Sequence, residues 1–103
     1  MKSRKTYMSE KPTNVKYVAP RRVHNIEEIV ANEFLFQTGE GLPWHSHDEA
    51  HLTACISGSC IVRIENQQDT MMCSNTPSII LPPKIPHEIE ALDSETIVIN
   101  IYT

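Results

Sequence analysis

Four of the five histidines in this chain fall in two short stretches, and their spacing restricts how the chain can fold. Neutral imidazole is the commonest protein ligand for metal ions, so His45, His47, His51 and His87 are candidate metal ligands. Alternate residues of a strand share a face, which puts His45 and His47 roughly 6.6 Å apart on the same side. His51 would lie roughly 13 Å further along that strand, too far to share an ion. The chain must therefore fold back between His47 and His51.

A helix is the competing interpretation, because His47 and His51 have the i, i+4 spacing of helix-borne zinc sites. The glutamate between them is in the wrong place for the metalloprotease motif, and Pro43 lies just before. The following apolar segment, Leu52–Ile56, has no helical period. Two strands joined by a bend at residues 48–50 are therefore favoured.

Short apolar segments separated by turn residues make up most of the chain. We predict strands at Val15–Val18, Glu33–Gln37, His45–His47, Leu52–Ile56, Cys60–Glu65, Thr70–Cys73, Ser78–Leu81, His87–Ala91 and Glu95–Tyr102. Residues Ile26–Ala31 fit either a helical turn or part of a strand. No long helix is indicated. Many short strands with regular turns predict an all-β sandwich or barrel.

The length of 103 residues is that of one domain with an adequate core. No apolar segment is long enough for a membrane span, and the N-terminus lacks the apolar stretch of a signal peptide. Three cysteines, at spacings that match no zinc or disulfide framework, indicate reduced thiols. We therefore expect a cytoplasmic protein with no membrane partner.

The basic residues are concentrated at the N-terminus, where residues 1–22 hold seven of the nine Lys and Arg and one acid. Such an arm can bind nucleic acid or a membrane, or it can be solvated or embrace a second subunit. No aromatic residues alternate with the charges and no recognition motif accompanies them, so we favour the second interpretation and expect no nucleic-acid partner. Residues 1–14 are predicted to be a flexible basic segment, and residues 15–103 a single domain.

Two segments of the chain resemble the paired motifs of the cupin family. The first runs from Gly39 through His45, His47 and His51 to Gly58 and matches the first cupin motif in spacing. That motif normally has glutamate at the position of His51. The second, Pro82–His87, resembles the second motif, with Lys84 in place of its glycine. The resemblance covers about residues 33–102, most of the chain.

The resemblance implies a double-stranded β-helix, which is a jelly-roll barrel, preceded here by the short N-terminal arm. It also implies a metal held inside the barrel by three histidines (His45, His47 and His87) and a fourth ligand. Single-domain cupins commonly form homodimers, often with help from N-terminal strands. We accordingly expect a divalent transition metal (Fe, Ni, Zn, Cu, Co or Mn) and a homodimer.

Histidine at position 51 changes the chemistry that the resemblance implies. Four neutral imidazoles leave the charge of a divalent ion uncompensated, so the ion should be a stronger Lewis acid and favour anionic ligands. The alternative is that His51 only lines the pocket beside a three-histidine site. No serine, cysteine or carboxylate stands out as a catalytic group, although Glu49 could act as a general base. Phe34, Phe36 and Tyr102 are expected to form core or pocket walls.

Two functions remain open at this point. The first is a small metal-dependent enzyme that acts on a small molecule, expected to be anionic, either as an oxidoreductase of the dioxygenase type or as an isomerase or lyase. Cupins with three histidines that resemble this chain include iron-dependent dioxygenases, which places oxygen chemistry first. The second is a non-catalytic module that binds or senses a small ligand. Fold alone does not decide between them.

Overall fold

A computed structural model describes residues 5–103 and places eleven strands in that range, with no helix. The strands are β1 Thr6–Met8, β2 Lys16–Tyr17, β3 Arg22–Ile26, β4 Ile29–Phe36, β5 Glu40–His47, β6 His51–Ser57, β7 Ser59–Ile64, β8 Thr70–Cys73, β9 Ile79–Leu81, β10 His87–Ala91 and β11 Thr96–Tyr102. The all-β prediction is confirmed, and in the described part of the chain no helix is long and apolar enough to cross a membrane.

The strands form two sheets that face each other across the core. One sheet has the order β1-β5-β10-β7-β8, with β2 pairing in parallel with β5, and the other has the order β3-β4-β11-β6-β9. Alternate residues point into the space between the sheets, as the alternating burial of β7 and β11 shows. This arrangement is the predicted jelly-roll barrel.

The interior is filled by apolar side chains of both sheets. Phe34 and Phe36 stack with ring centroids 5.2 Å apart, as predicted for wall residues. Cys60, Val62 and Ile64 point inward from β7. Burial raises the pKa of the Cys60 thiol to about 12, so this cysteine is a neutral core residue rather than a nucleophile.

The segment at residues 26–31 is a hairpin and not a helical turn. Strand β3 ends at Ile26, β4 begins at Ile29, and these two residues pair across the turn. Glu27 has a φ of 54°, the left-handed conformation that reverses the chain. The strand alternative is therefore correct, split by a tight turn.

The N-terminal arm contributes one strand that the sequence did not indicate. Its first four residues lie outside the described part of the chain, but Thr6–Met8 forms β1 and pairs with β5. Further along, the Lys11 ammonium lies 4.4 Å from the centre of the Trp44 ring, and Thr13 hydrogen-bonds the Glu88 carboxylate. The arm therefore crosses the outer face of the β5 sheet, and its boundary at residue 14 stays a prediction.

Candidate metal centre

Three strands bring the four candidate histidines together. His45 and His47 end β5, His51 begins β6, and His87 begins β10 directly opposite His45. The chain folds back at residues 48–50, as the spacing predicted. All four imidazoles are buried in the barrel, with 0–8% of their surface exposed. The fifth histidine, His24, is exposed and lies 3.3 Å from Glu33, as expected for a surface residue.

The imidazoles are in mutual contact. Ring centroids are 4.4 Å apart for His45 and His87, 4.9 Å for His47 and His87, and 4.8 Å for His47 and His51. The ligand nitrogens of His45, His47 and His87 all lie within 4.8 Å of one another, so these three can share an ion. His51 lies outside that group of three, although its ring is beside two of its members.

Local hydrogen bonds fix which nitrogen of each imidazole faces the cluster. Nδ1 of His45 is 2.7 Å from the Pro43 carbonyl oxygen, and Nδ1 of His87 is 3.0 Å from the Ile85 carbonyl oxygen. Nδ1 of His47 has the same arrangement, 2.7 Å from the main-chain oxygen of Glu49. A carbonyl only accepts, so Nδ1 must carry the proton and Nε2 must have the free lone pair. A metal ligand needs that lone pair.

Unpaired nitrogens are the strongest sign of a missing binding partner. The Nε2 atoms of His47, His51 and His87 are buried and have no hydrogen-bond partner. An unsatisfied buried polar atom costs about 1–3 kcal/mol, and three in one space are unusual for a folded domain. A divalent ion among the Nε2 atoms would satisfy them. The residues present therefore fit a metal.

Burial keeps three of the imidazoles neutral. Burial, together with a smaller contribution from the neighbouring histidines, lowers the pKa of His51 and of His87 to about 3. Burial also lowers the pKa of His45, against the hydrogen bond to Pro43, which raises it. Neutral imidazole is the form that binds metal, so these ligands need no deprotonation near pH 7.

We expect the metal-free protein to lose stability as the pH falls below about 6.5. Unfolded histidines bind protons near pH 6.5, whereas His51 and His87 in the folded barrel resist protonation down to about pH 3. Each such imidazole lowers the free energy of unfolding by up to about 1.4 kcal/mol per pH unit between about pH 6.5 and pH 3, and by nothing above about pH 6.5.

Urea denaturation at pH 7.5, 6 and 5 measures this dependence of the free energy of unfolding on pH. A His51→Asn variant should show a shallower slope, the control His24→Asn should not, and equal stability of the parent at pH 7.5 and 5 would contradict the expectation.

A pocket of about 160 Å³ opens beside the histidines. His45 and His47 form its inner end, and Phe34, Leu42 and Tyr102 form apolar walls. Strand β1 contributes Thr6 and Met8, whose backbone partners on β5 are His47 and His45. None of the described residues that line the pocket is an acid, a lysine or an arginine. These lining side chains would not balance the charge of a bound molecule, so a charged ligand would need another partner, such as a metal ion at the histidines.

The remaining candidates behave differently from one another. Tyr102 is a pocket wall as predicted, and its ring lies 4.8 Å from that of His51. Asp48 is exposed at the bend, but Glu49 is half-buried with one carboxylate oxygen unpaired. Lys84 adopts a φ of 66° where the motif has glycine, and its N–H donates to the His47 carbonyl at 2.7 Å. The turn before His87 therefore keeps a glycine-like conformation despite the lysine.

Sequence reasoning missed two buried partners of His51. Thr53 lies on the same face of β6, and Asn100 lies opposite it on β11. The alternation of β6 places Thr53 on the inner face with His51, but nothing local to the motif identifies Asn100. Its polar side chain in the otherwise apolar run Ile97–Ile101 was the available signal.

Comparison with known families gives one match over most of the barrel. The model of the AraC-like ligand binding domain matches residues 35–102. A comparison with curated protein sequences finds no match.

Several solved structures share the fold at low sequence identity. KdgF from Halomonas sp. has a TM-score of 0.70 and 17% identity over 79% of this chain and 74% of its own. A cupin-like protein from Thermotoga maritima has a TM-score of 0.69 and 18% identity, over 80% of this chain and 65% of its own. The DMSP lyase DddQ from Ruegeria pomeroyi has a TM-score of 0.65 and 14% identity over 75% of this chain, which spans 39% of the lyase. These likenesses show the fold.

Proposed function

We propose, from the premise that this chain belongs to the AraC-like ligand binding domain family and has a cupin barrel, that it is a metal-dependent protein acting on a small molecule. One divalent transition ion would be held by His45, His47, His51 and His87. The observation that carries the proposal is the set of buried, unpaired Nε2 atoms that converge beside the pocket.

The donor set favours a transition metal over magnesium or calcium. Imidazole suits Fe, Ni, Zn, Cu and Co, and also Mn with less preference, whereas hard ions favour oxygen ligands. A bound ion of this kind supplies Lewis acidity, and a redox-active one also supplies oxygen chemistry. The protein's own contribution is the fixed orientation of His45, His47 and His87 and a pocket beside them with apolar walls.

An anionic ligand is the expected guest of this pocket. Among the described residues that line the pocket there is no lysine or arginine, so within that part of the chain a bound ion would be the source of positive charge. With four neutral imidazoles the centre keeps about two positive charges, and a glutamate at position 51 would cancel about one. One unit of charge at about 2–4 Å is worth several kcal/mol even at an effective dielectric near 20.

We therefore expect His51→Glu to weaken anion binding by about ten- to a hundredfold while the metal stays bound, because desolvation of the anion offsets part of the Coulomb gain. Azide and acetate titrations of both proteins, loaded with the same ion, measure the effect. His51→Gln is the neutral control, which should retain more of the anion affinity than His51→Glu. Equal affinity in the parent and the glutamate variant would contradict the role of His51.

If the protein is an enzyme, we propose one of two reaction classes: an oxygen-dependent reaction, or a lyase or isomerase reaction. A pocket whose described lining has no charged side chain apart from the histidines, beside a Lewis-acidic ion, suits either class, and a solved lyase shares the barrel fold. Oxygen uptake and product analysis over small carboxylates, thiols and diketones, with Fe- and Zn-loaded protein, test this. Turnover that needs the metal and is lost in His87→Ala supports an enzyme.

A non-catalytic ligand-binding module is the second candidate, and the family match to a ligand binding domain favours it. In that case one of the same carboxylates, thiols or diketones should raise the melting temperature of the protein, and only when the metal is bound. No product would form with any of the metals.

We also propose that two chains associate through β3. This strand is at the edge of its sheet, all five of its residues are exposed, and Val23 and Ile26 are 53% and 67% accessible. Exposed apolar edges are commonly covered by a partner.

We expect a homodimer in sedimentation experiments and a monomer for Val23→Lys. Lysine at an edge position opposes strand pairing. The matched control is Ile80→Lys, on the edge strand at the opposite side of the same sheet. A parent protein that sediments as a monomer at high concentration would contradict the proposal.

A cytoplasmic location remains part of the proposal. It is supported by the three cysteines, all of which are free thiols.

A further inference from the structure

A buried chain of hydrogen bonds connects His51 on β6 to Asn100 on the neighbouring strand β11. His51 Nδ1 is 3.0 Å from the Thr53 hydroxyl oxygen, and that hydroxyl donates to Asn100 Oδ1 at 2.7 Å. The exposed fractions of His51, Thr53 and Asn100 are 3%, 0% and 1%. These groups are almost entirely buried, so their hydrogen bonds are made chiefly within the chain.

The direction of these bonds determines the protonation of His51. A threonine hydroxyl has one proton, and here it is donated to Asn100 Oδ1. The hydroxyl oxygen is then only an acceptor toward His51, so His51 Nδ1 carries the proton. Its Nε2 is left with a lone pair, buried and without a hydrogen-bond partner, in the same space as those of His47 and His87.

We propose that Thr53 and Asn100 are positioning residues that hold His51 in the tautomer able to serve as the fourth metal ligand. This inference rests on the proposed metal function. The opposite orientation of the Asn100 amide would donate to Thr53, Thr53 would donate to His51 Nδ1, and a proton would occupy Nε2. The Asn100 side chain thus decides between three and four nitrogen donors.

His51 differs in this respect from the other three histidines. Their Nδ1 atoms bond main-chain carbonyls of Pro43, Glu49 and Ile85, which no substitution can remove. The partner of His51 Nδ1 is a side-chain hydroxyl, that of Thr53, and the Leu52 main chain adds a further hydrogen-bonding contribution to the same imidazole. Two side chains, at positions 53 and 100, therefore act on the coordination number, and neither of them would touch the ion.

The tautomer is tested first in the metal-free protein. Long-range ¹H–¹⁵N spectra at pH 7.5 are expected to show the proton of His51 on Nδ1 in the parent, in Thr53→Ser, which keeps the hydroxyl, and in Asn100→Asp, which can only accept. Thr53→Val removes the hydroxyl and should shift His51 toward the Nε2–H form. Thr96→Val is the matched control, because Thr96 is also 0% exposed but bonds Ser59 and Asp93.

Metal binding is tested next, with Cu²⁺ as the probe. We expect nitrogen hyperfine structure from four imidazoles in the parent and in Thr53→Ser, and from three in Thr53→Val. The Cu²⁺ affinity should fall by about ten- to a hundredfold in Thr53→Val, as is usual for loss of an outer hydrogen-bond partner, and remain unchanged in Thr96→Val.

The outcomes separate this inference from the proposed function. An Nε2–H tautomer in the parent, or four nitrogens retained in Thr53→Val with unchanged affinity, would overturn the positioning role while leaving the metal site intact. A parent that binds no Cu²⁺ would overturn the metal function, and the role of His51 as a ligand with it. If Thr53→Val does not fold, Asn100→Ala takes its place: it removes the acceptor of the Thr53 hydroxyl, which can then donate to His51 Nδ1, and an unchanged Nδ1–H tautomer in that variant would overturn the positioning role.

Discussion

His47→Ala is expected to abolish metal binding. Loss of a residue that only hydrogen-bonds a ligand lowers metal affinity by about ten- to a hundredfold, and loss of a ligand itself should exceed that range. His47, like His87, has ring contacts to all three of the other imidazoles. Its Nε2 is buried, unpaired and held toward the others by the Nδ1 bond to the Glu49 carbonyl. Alanine at position 47 therefore removes a nitrogen donor that lies among the other three imidazoles.

Elemental analysis of protein purified without an affinity tag, followed by competition titration with a chelator, measures the loss. The expected stoichiometry is one ion per chain for the parent and none for the variant. His24→Ala is the control, because His24 is exposed and lies beside Glu33, away from the cluster. Circular dichroism must show that both variants fold. An unchanged metal content in His47→Ala would remove the basis of the proposed site.

Gly41→Ala is expected to destabilise the barrel by at least about 3 kcal/mol, the upper end of the usual cost of overpacking. A Cβ at Gly41 would lie 2.0 Å from the Ile89 carbonyl oxygen and 2.9 Å from its carbon. Both atoms are main chain, so a rotamer change cannot relieve the clash and β5 must move away from β10. Because β5 holds His45 and β10 holds His87, metal affinity should fall together with stability.

Gly39→Ala is the matched control for this substitution. Gly39 has a φ of 85° but no atom within 4 Å of the added Cβ. Its substitution should therefore cost only the backbone penalty of about 1–2 kcal/mol. Urea denaturation of the metal-free proteins at pH 7.5 compares the two. If Gly41→Ala were as stable as Gly39→Ala, the close approach of β5 and β10 would be wrong.

The barrel could be predicted from the sequence because its signals are local. Strands β8 and β10 have the predicted bounds, Thr70–Cys73 and His87–Ala91, since turn residues flank both segments. Strand parity and one bend predicted that His45, His47 and His51 lie together, whereas the place of His87 beside them was implied by the resemblance to the second cupin motif. The inferences from parity and from turns depend on residues that are close together in the chain.

Other features were hidden because they depend on distant contacts. Strand β1 is short and exposed, and it forms because β5 offers an unpaired edge. The hairpin at Ile26–Ile29 was ambiguous by propensity and is decided by pairing with β4. Thr53 and Asn100 are separated by 47 residues, so the bond that orients His51 leaves no trace in either motif.

Anomalous diffraction at the absorption edge of a loaded ion, such as Zn²⁺ or Fe²⁺, tests the central claim most directly. We expect one strong anomalous-difference peak per chain inside the barrel, within about 2.0–2.3 Å of Nε2 of His45, His47 and His87. His51 Nε2 should be the fourth donor. A peak coordinated by the three alone would limit the site to three histidines. A peak at another position, or no peak after loading with each candidate metal, would contradict the claim that this barrel is a metal centre.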